Sequence, residues 1–166
     1  ELFTAANPFQ APRDEEPTVR SLLDAGAVRV EAELDGQPEI QADLRATIAR
    51  VYDGLGRYAA AEPLARRSLE QRRSLFGPVH PAVAEGMAQL GELLAKQNRY
   101  QEAEPLLRES LRQRRALLGD QDADTAMSLD ALATMLQARN QYQDAEPLFR
   151  EALGMLGAGE LRHQRE

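Results

Sequence analysis

The 166-residue chain contains no cysteine and no tryptophan. The first absence excludes disulfides, thiol catalysis, zinc ribbons and iron–sulfur ligation together, and leaves the redox compartment open. Aromatic residues make up only 5% of the chain, so a core must be built from Leu and Ala, which are helix formers. Val and Ile are sparse, and no stretch alternates apolar and polar over a strand's length. Long apolar runs are missing too. Nothing approaches the roughly 18 uncharged apolar residues of a membrane span. An excess of positive charge is also lacking: 20 Lys and Arg against 27 Asp and Glu leave a net charge of −7. That balance argues against a nucleic-acid partner. No basic segment followed by an apolar run marks a signal peptide. The first residue is Glu1 rather than Met, and the chain reads as a piece of something longer.

What is present is repetition. A shift of 42 residues superposes Tyr58, Tyr100 and Tyr142, then Ala61, Ala103 and Ala145. It also superposes the triplets Glu62-Pro63-Leu64, Glu104-Pro105-Leu106 and Glu146-Pro147-Leu148. Leu69, Leu111 and Leu153 follow in the same register. Each repeat reads as two helices. The first carry apolar residues at helical spacing: Ile40, Leu44, Ile48, Val51 and Leu55, then Val83, Met87, Leu90 and Leu94, then Leu129, Leu132, Met135 and Leu136. The third repeat decays into a glycine-containing tail. This predicts a short last helix, with an apolar end at Leu148, Phe149, Met155 and Leu156 that needs a cover.

The punctuation has a mechanism. Gly56, Asn98 and Asn140 stand between the paired helices, and these residue types tolerate the left-handed backbone that ends a helix. Gly77 and Gly119 stop the second helices. Pro81 suits a first helical position, and Asp122 or Asp124 can cap the helix that follows. The prolines of the triplets fall in or just past a first turn. Small residues recur where helices must cross closely: Ala49, Gly91 and Ala133, then Ser68, Ser110 and Ala152.

These residues resemble the tetratricopeptide pattern. Leu90-Gly91, Tyr100, Ala103, Leu107 and Ser110 match it, as do Leu132-Ala133, Tyr142, Ala145, Phe149 and Ala152. Ile48-Ala49, Tyr58, Ala61, Ala65 and Ser68 match it more weakly. The long period, with Gly77-Pro78-Val79-His80-Pro81 and the run from Asn98 to Leu106, resembles the subclass typified by kinesin light chains. The resemblance implies an all-α, right-handed α-solenoid of antiparallel helix pairs. The expected organisation is a leader at 1–16, a half-repeat capping helix at 17–36, repeats at 37–79, 80–121 and 122–158, and a polar tail at 159–166. The N-terminal stretch is also similar to bacterial serine/threonine protein kinases. Leu2-Phe3, Asn7-Pro8, Thr18, Arg20, Leu22-Leu23-Asp24, Gly26-Ala27 and Gln37-Pro38-Glu39 carry that likeness. It implies a kinase domain, and often a membrane helix, ahead of the repeats. No Gly-rich loop, His-Arg-Asp or Asp-Phe-Gly lies in this chain.

No constellation suggests an enzyme or a cofactor. His80 and His163 are the only histidines, too few for a zinc site. His80 is expected to cap or pack. Glu62, Glu104 and Glu146 are expected to complement helix dipoles rather than move protons. The arginines Arg66-Arg67, Arg72-Arg73, Arg112 and Arg114-Arg115 interleave with Glu, which suggests a solvated outer face.

The tetratricopeptide likeness places function in a concave groove lined by the first helices. Its inner positions carry over to Asp43, Ala46, Thr47, Arg50 and Asp53, to Glu85, Ala88, Gln89, Glu92 and Lys96, and to Met127, Asp130, Ala131, Thr134 and Gln137. The Lys, Arg and Asn clamp of relatives that seize acidic tails is absent. Five carboxylates against Arg50 and Lys96 favour a basic or neutral peptide or protein partner. Pairing of end repeats between copies is the other expectation.

Overall fold

A computed structural model describes residues 19–34 and 36–163. They form seven helices and, among the described residues, no strand. The order is α1 (Val19–Glu33), α2 (Pro38–Gly54), α3 (Tyr58–Phe76), α4 (Pro81–Lys96), α5 (Tyr100–Leu118), α6 (Ala123–Ala138) and α7 (Tyr142–His163). The pairs α2–α3, α4–α5 and α6–α7 are the three repeats, joined within each pair by three-residue turns. Each second helix also packs on the first helix of the next repeat, and α1 packs on α2 as a half repeat would. The result is an all-α solenoid.

The turns follow from their residues. Asn98 and Asn140 take φ of 61° and 62°, and Gly56 takes 70°. The Arg99 N–H then closes on Leu94 O, as that of Gln141 does on Leu136 O. The phenol of Tyr100 donates to Asn98 Oδ1 at 2.8 Å and that of Tyr142 to Asn140 Oδ1 at 2.9 Å. Tyr58 follows a glycine and has no such acceptor two residues before it. Gly77 and Gly119 end α3 and α5 at φ of 81° and 93°. Pro81 opens α4, where His80 Nδ1 accepts the Ala82 N–H and its ring stacks on Phe76 at 4.3 Å. Asp122 caps α6 by accepting the Asp124 N–H at 2.8 Å. Pro63, Pro105 and Pro147 each lie just past the first turn of α3, α5 and α7.

One continuous seam of Ala, Leu and Met runs through all three pairs. Gly91 lets α4 and α5 touch: a Cβ there would sit 2.8 Å from Leu107 Cδ2 and Cγ and 3.3 Å from Ala103 O. The serines that read as merely small also bond across the pair. Ser68 Oγ donates to Ala42 O at 2.8 Å and Ser110 Oγ to Ala84 O at 2.7 Å, both buried.

Three expectations need correction. The aliphatic row of α2 is not its buried face: Ile40, Leu44, Val51 and Leu55 are exposed. The helix instead buries Ala42, Arg45, Ala46, Ala49 and Tyr52. Arg45 stands where the later repeats have Met87 and Leu129, and it bonds to Gln71, which bonds to Gln41. Tyr52 reaches back to Asp24 of α1. The last helix is not short. It is the longest and runs unbroken across the expected boundary at 158/159. Of the expected apolar end, Met155 is buried and Leu148 and Phe149 are half-buried, the side chain of Leu156 lies outside the described ones, and the exposed apolar residue among those described is Leu153.

Gly91→Ala is expected to destabilise the fold. The helix-propensity gain of about 1 kcal/mol opposes an overpacking cost of about 1–3 kcal/mol against buried Leu107 and the α5 backbone. A urea midpoint that rises on this substitution would contradict the close crossing.

Candidate functional site

The first helices place their polar residues along one side of the stack, around a groove of about 970 Å³. Asp43, Arg50, Asp53, Glu85, Gln89 and Glu92 all line it. Lys96, Asp130 and Thr134 line a neighbouring notch of about 230 Å³, which opens beside Glu92. Thr47 bonds back to Asp43 O at 2.9 Å on its own helix, and Gln137 is exposed at the C-terminal part of α6.

Much of this surface is occupied by the chain's own contacts. Gln89 does not present a free amide, because its Nε2 donates to Ala46 O at 2.7 Å and ties α4 to α2. Arg50 pairs with Glu85 at 3.4 Å and Lys96 with Asp53 at 2.6 Å, so two ion pairs cross the first repeat junction. The arginines expected on an outer face divide. Arg66, Arg112 and Arg115 pair with surface carboxylates. Arg72 and Arg114 are 4% and 6% exposed and reach the groove from behind. Arg72 donates to Ala82 O, to Glu85 and, at 2.9 Å, to Asp43. Arg114 donates to Asp124 O at 2.8 Å and to Ser128 Oγ at 2.9 Å. Ala82 and Asp124 are equivalent positions 42 residues apart. A guanidinium thus holds the first turn of the next repeat at both junctions.

The second junction has no counterpart of the two ion pairs. The positions equivalent to Glu85 and Lys96 are Met127 and Ala138. Glu92 and Asp130 make no ion pair or hydrogen bond among the described residues. Glu92 is exposed on the concave surface, with the surrounding protein crowding its carboxyl. Burial pushes its pKa up, with Asp53 and Asp130 adding to the rise and Lys96 and Arg114 opposing it. Beside it the notch is faced by Ala95, Ala131 and Ala138.

The outer face of the stack is stapled differently. Burial would raise Glu62, but hydrogen bonds from Arg99, Arg66 and Gln97 outweigh it and lower its pKa. Arg99 and Gln97 belong to the turn of the next repeat, and Glu104 meets Arg139 of the following turn in the same way. Glu62 and Glu104 therefore act structurally, through partners 35 to 37 residues away, whereas Glu146 pairs with Arg150 on its own helix. Arg112, with Gln113, holds Glu109 down to about 2.

A tetratricopeptide repeat model matches residues 41–116 and again 87–157. The chain belongs to the tetratricopeptide repeat family. No curated protein sequence matches it. Among solved structures it is similar to BtubC (BKLC) from P. vanneervenii, at 24% identity and a TM-score of 0.71, over 84% of this chain and 58% of that one. It thus spans little more than half of that protein. It is also similar to the nearly identical TPR-like repeats of a kinesin light chain-type protein from Podosopora anserina, at 19% identity and a TM-score of 0.59, over 91% of this chain and 81% of that one. A variant of that protein matches at 18% and 0.60, over 95% and 83%. At these identities the likeness establishes the fold. No described helix of this tetratricopeptide chain is long and apolar enough to cross a membrane. Of the residues that carry the kinase likeness, Leu2-Phe3, Asn7-Pro8 and Thr18 lie outside the described residues, while the rest fall on α1 and at the start of α2.

Opposite pKa shifts give opposite expectations. Glu62, Glu102 and Glu109 are depressed in the fold. Their stabilising contribution is complete above the ordinary value near 4.5 and is lost as pH falls through the folded values, toward about 2 for Glu109. Glu92 is raised, so ionising it costs stability at neutral pH. Glu92→Gln should raise the thermal midpoint at pH 7 and Glu62→Gln should lower it. Calorimetry showing both midpoints moving the same way would refute the assignment.

Proposed function

We propose that this tetratricopeptide chain is a protein-interaction scaffold whose groove docks a basic or neutral peptide segment of a partner, anchored at the second repeat junction. The observation that carries this reading is the contrast between the junctions. Asp43, Asp53 and Glu85 are already answered by Arg72, Lys96 and Arg50, whereas Glu92 and Asp130 are not. A partner's Lys or Arg would lay its aliphatic stem along Ala95, Ala131 and Ala138 and bring its cation to the two carboxylates. Thr134 and Gln137 continue the same helix face and would serve the peptide backbone. An exposed carboxylate without an ion-pair partner, set beside a wall of alanines, fits a binding role better than a structural one. No catalytic step is assigned to these residues.

A second reading, a regulatory or oligomerising segment of a bacterial serine/threonine kinase with catalysis elsewhere in the parent chain, is favoured only by the N-terminal sequence. Kinase motifs encoded upstream of Glu1 would support it, and an unrelated upstream sequence would remove it.

The groove is tested by fluorescence anisotropy with two labelled peptides, one alternating Lys and Ala and one alternating Glu and Ala. The basic peptide should bind and the acidic one should not. Reversal at Glu92 and Asp130 (E92K, D130K) should weaken the basic peptide by about tenfold or more, while D43N should change it by less than about twofold. Equal binding by the reversed variant would end the proposal.

A further inference from the structure

Arg72 and Arg114 occupy the same position 42 residues apart, and both residues are more than nine-tenths buried yet line the groove. Their partners differ. Arg72 closes on Ala82 O through Nη1 and is neutralised twice, by Glu85 at 3.1 Å and by Asp43 at 2.9 Å. Arg114 closes on Asp124 O and on Ser128 Oγ, both through Nη1. It meets no carboxylate among the described residues, and its Nε and Nη2 make no hydrogen bond there.

The register shows where the counter-ions went. The equivalent of Glu85 is Met127, which carries no charge. The equivalent of Asp43 is Glu85, which is already held by Arg72 and Arg50. Asp124 lends its carbonyl rather than its carboxylate, because a helical carbonyl points toward the C-terminus of α6 whereas a Cβ leans toward the N-terminus. Glu92 lies close enough to feel the charge of Arg114 but makes no ion pair or hydrogen bond with it. A cation this deep is costly unless it is paired.

We infer that Arg114 is a second recognition point of the groove, taking the side-chain carboxylate of an Asp or Glu in the docked peptide where Glu85 stands at the first junction. The inference rests on the groove reading and refines the peptide from basic to one that pairs a base with an acid. The open side of the guanidinium fork matches a carboxylate. The concave surface continues past Arg114 on both sides, from Asp43 to the notch at Ala138, so an internal side chain rather than a chain end reaches it. The bonds of Arg114 fall at Asp124 and Ser128, centred about four residues before Asp130, or about 6 Å along α6. Roughly two residues of extended chain cover that span. The acid and the Lys or Arg of the peptide therefore stand two residues apart, on one face.

Fluorescence anisotropy on the full chain tests this with end-capped Lys-Ala peptides in which the Lys two residues from the central one is replaced by Asp or by its neutral isostere Asn. One Asp/Asn pair carries the change on the N-terminal side and the other on the C-terminal side, which covers both chain directions. An acidic groove without the Arg114 contact would hold Asn more tightly than Asp in both pairs. With the contact, Asp should win in one pair by about threefold or more. Met127→Glu, at a position 62% exposed, rebuilds the Glu85 arrangement within the chain and should abolish that advantage with unchanged helicity by circular dichroism. Met127→Gln, uncharged, should keep it. An Asn preference in both pairs, or an Asp preference that survives Met127→Glu, would overturn the inference while the parent Lys-Ala peptide still binds. Failure of every one of these peptides to bind would instead refute the groove reading, and this inference with it.

Discussion

The stack depends on one contact made twice: an arginine buried in a second helix closes on a first-turn carbonyl of the next repeat. A helix pair alone would bury one apolar stripe and leave the other wet. What sets the step between pairs is the guanidinium of Arg72 on Ala82 O and that of Arg114 on Asp124 O. A buried cation is costly, and a carbonyl acceptor repays that cost only when its geometry is good. The contact is therefore directional in a way that Leu on Leu is not. Ser68 and Ser110 act in the same sense within the pairs, fixing height along the helix axis while the alanines fix distance.

From that shared frame the two junctions diverge through single residues. Glu85 and Met127 occupy one position, and Lys96 and Ala138 another. The first junction consequently has its concave side crossed by ion pairs, while the second has a wall of alanines and two unanswered carboxylates. A repeat architecture makes such contrasts informative, because every position has internal controls at the same place in the fold.

The helix pairs and their turns were legible in the sequence because a fixed period repeats the evidence for each. Asn98, Asn140, Gly77, Pro81 and His80 stand at turns and caps whose chemistry is local. The stripe of α2 misled because its row of Ile, Leu and Val meets only a thin half repeat, while the deep positions of that helix are Ala and a hydrogen-bonded Arg45. Arg72 and Arg114 were hidden because the sequence does not say which way a long side chain turns. The Gln-Arg-Arg tract shared by two repeats and lost in the third was the available signal. The glycines of the last repeat suggested an early stop, yet Gly154 sits within α7 without any left-handed turn.

The triplet prolines have a kinetic consequence. Lacking an amide hydrogen, each leaves the carbonyl four residues before it, at Ala59, Gln101 and Gln143, without the usual rung of the helical ladder. The opening turn of every second helix is thereby partly uncoupled from the length that follows, in the same place in each repeat. Hydrogen exchange should start at these three seams, and the solenoid yields to solvent in small, regularly spaced steps before any helix pair comes apart.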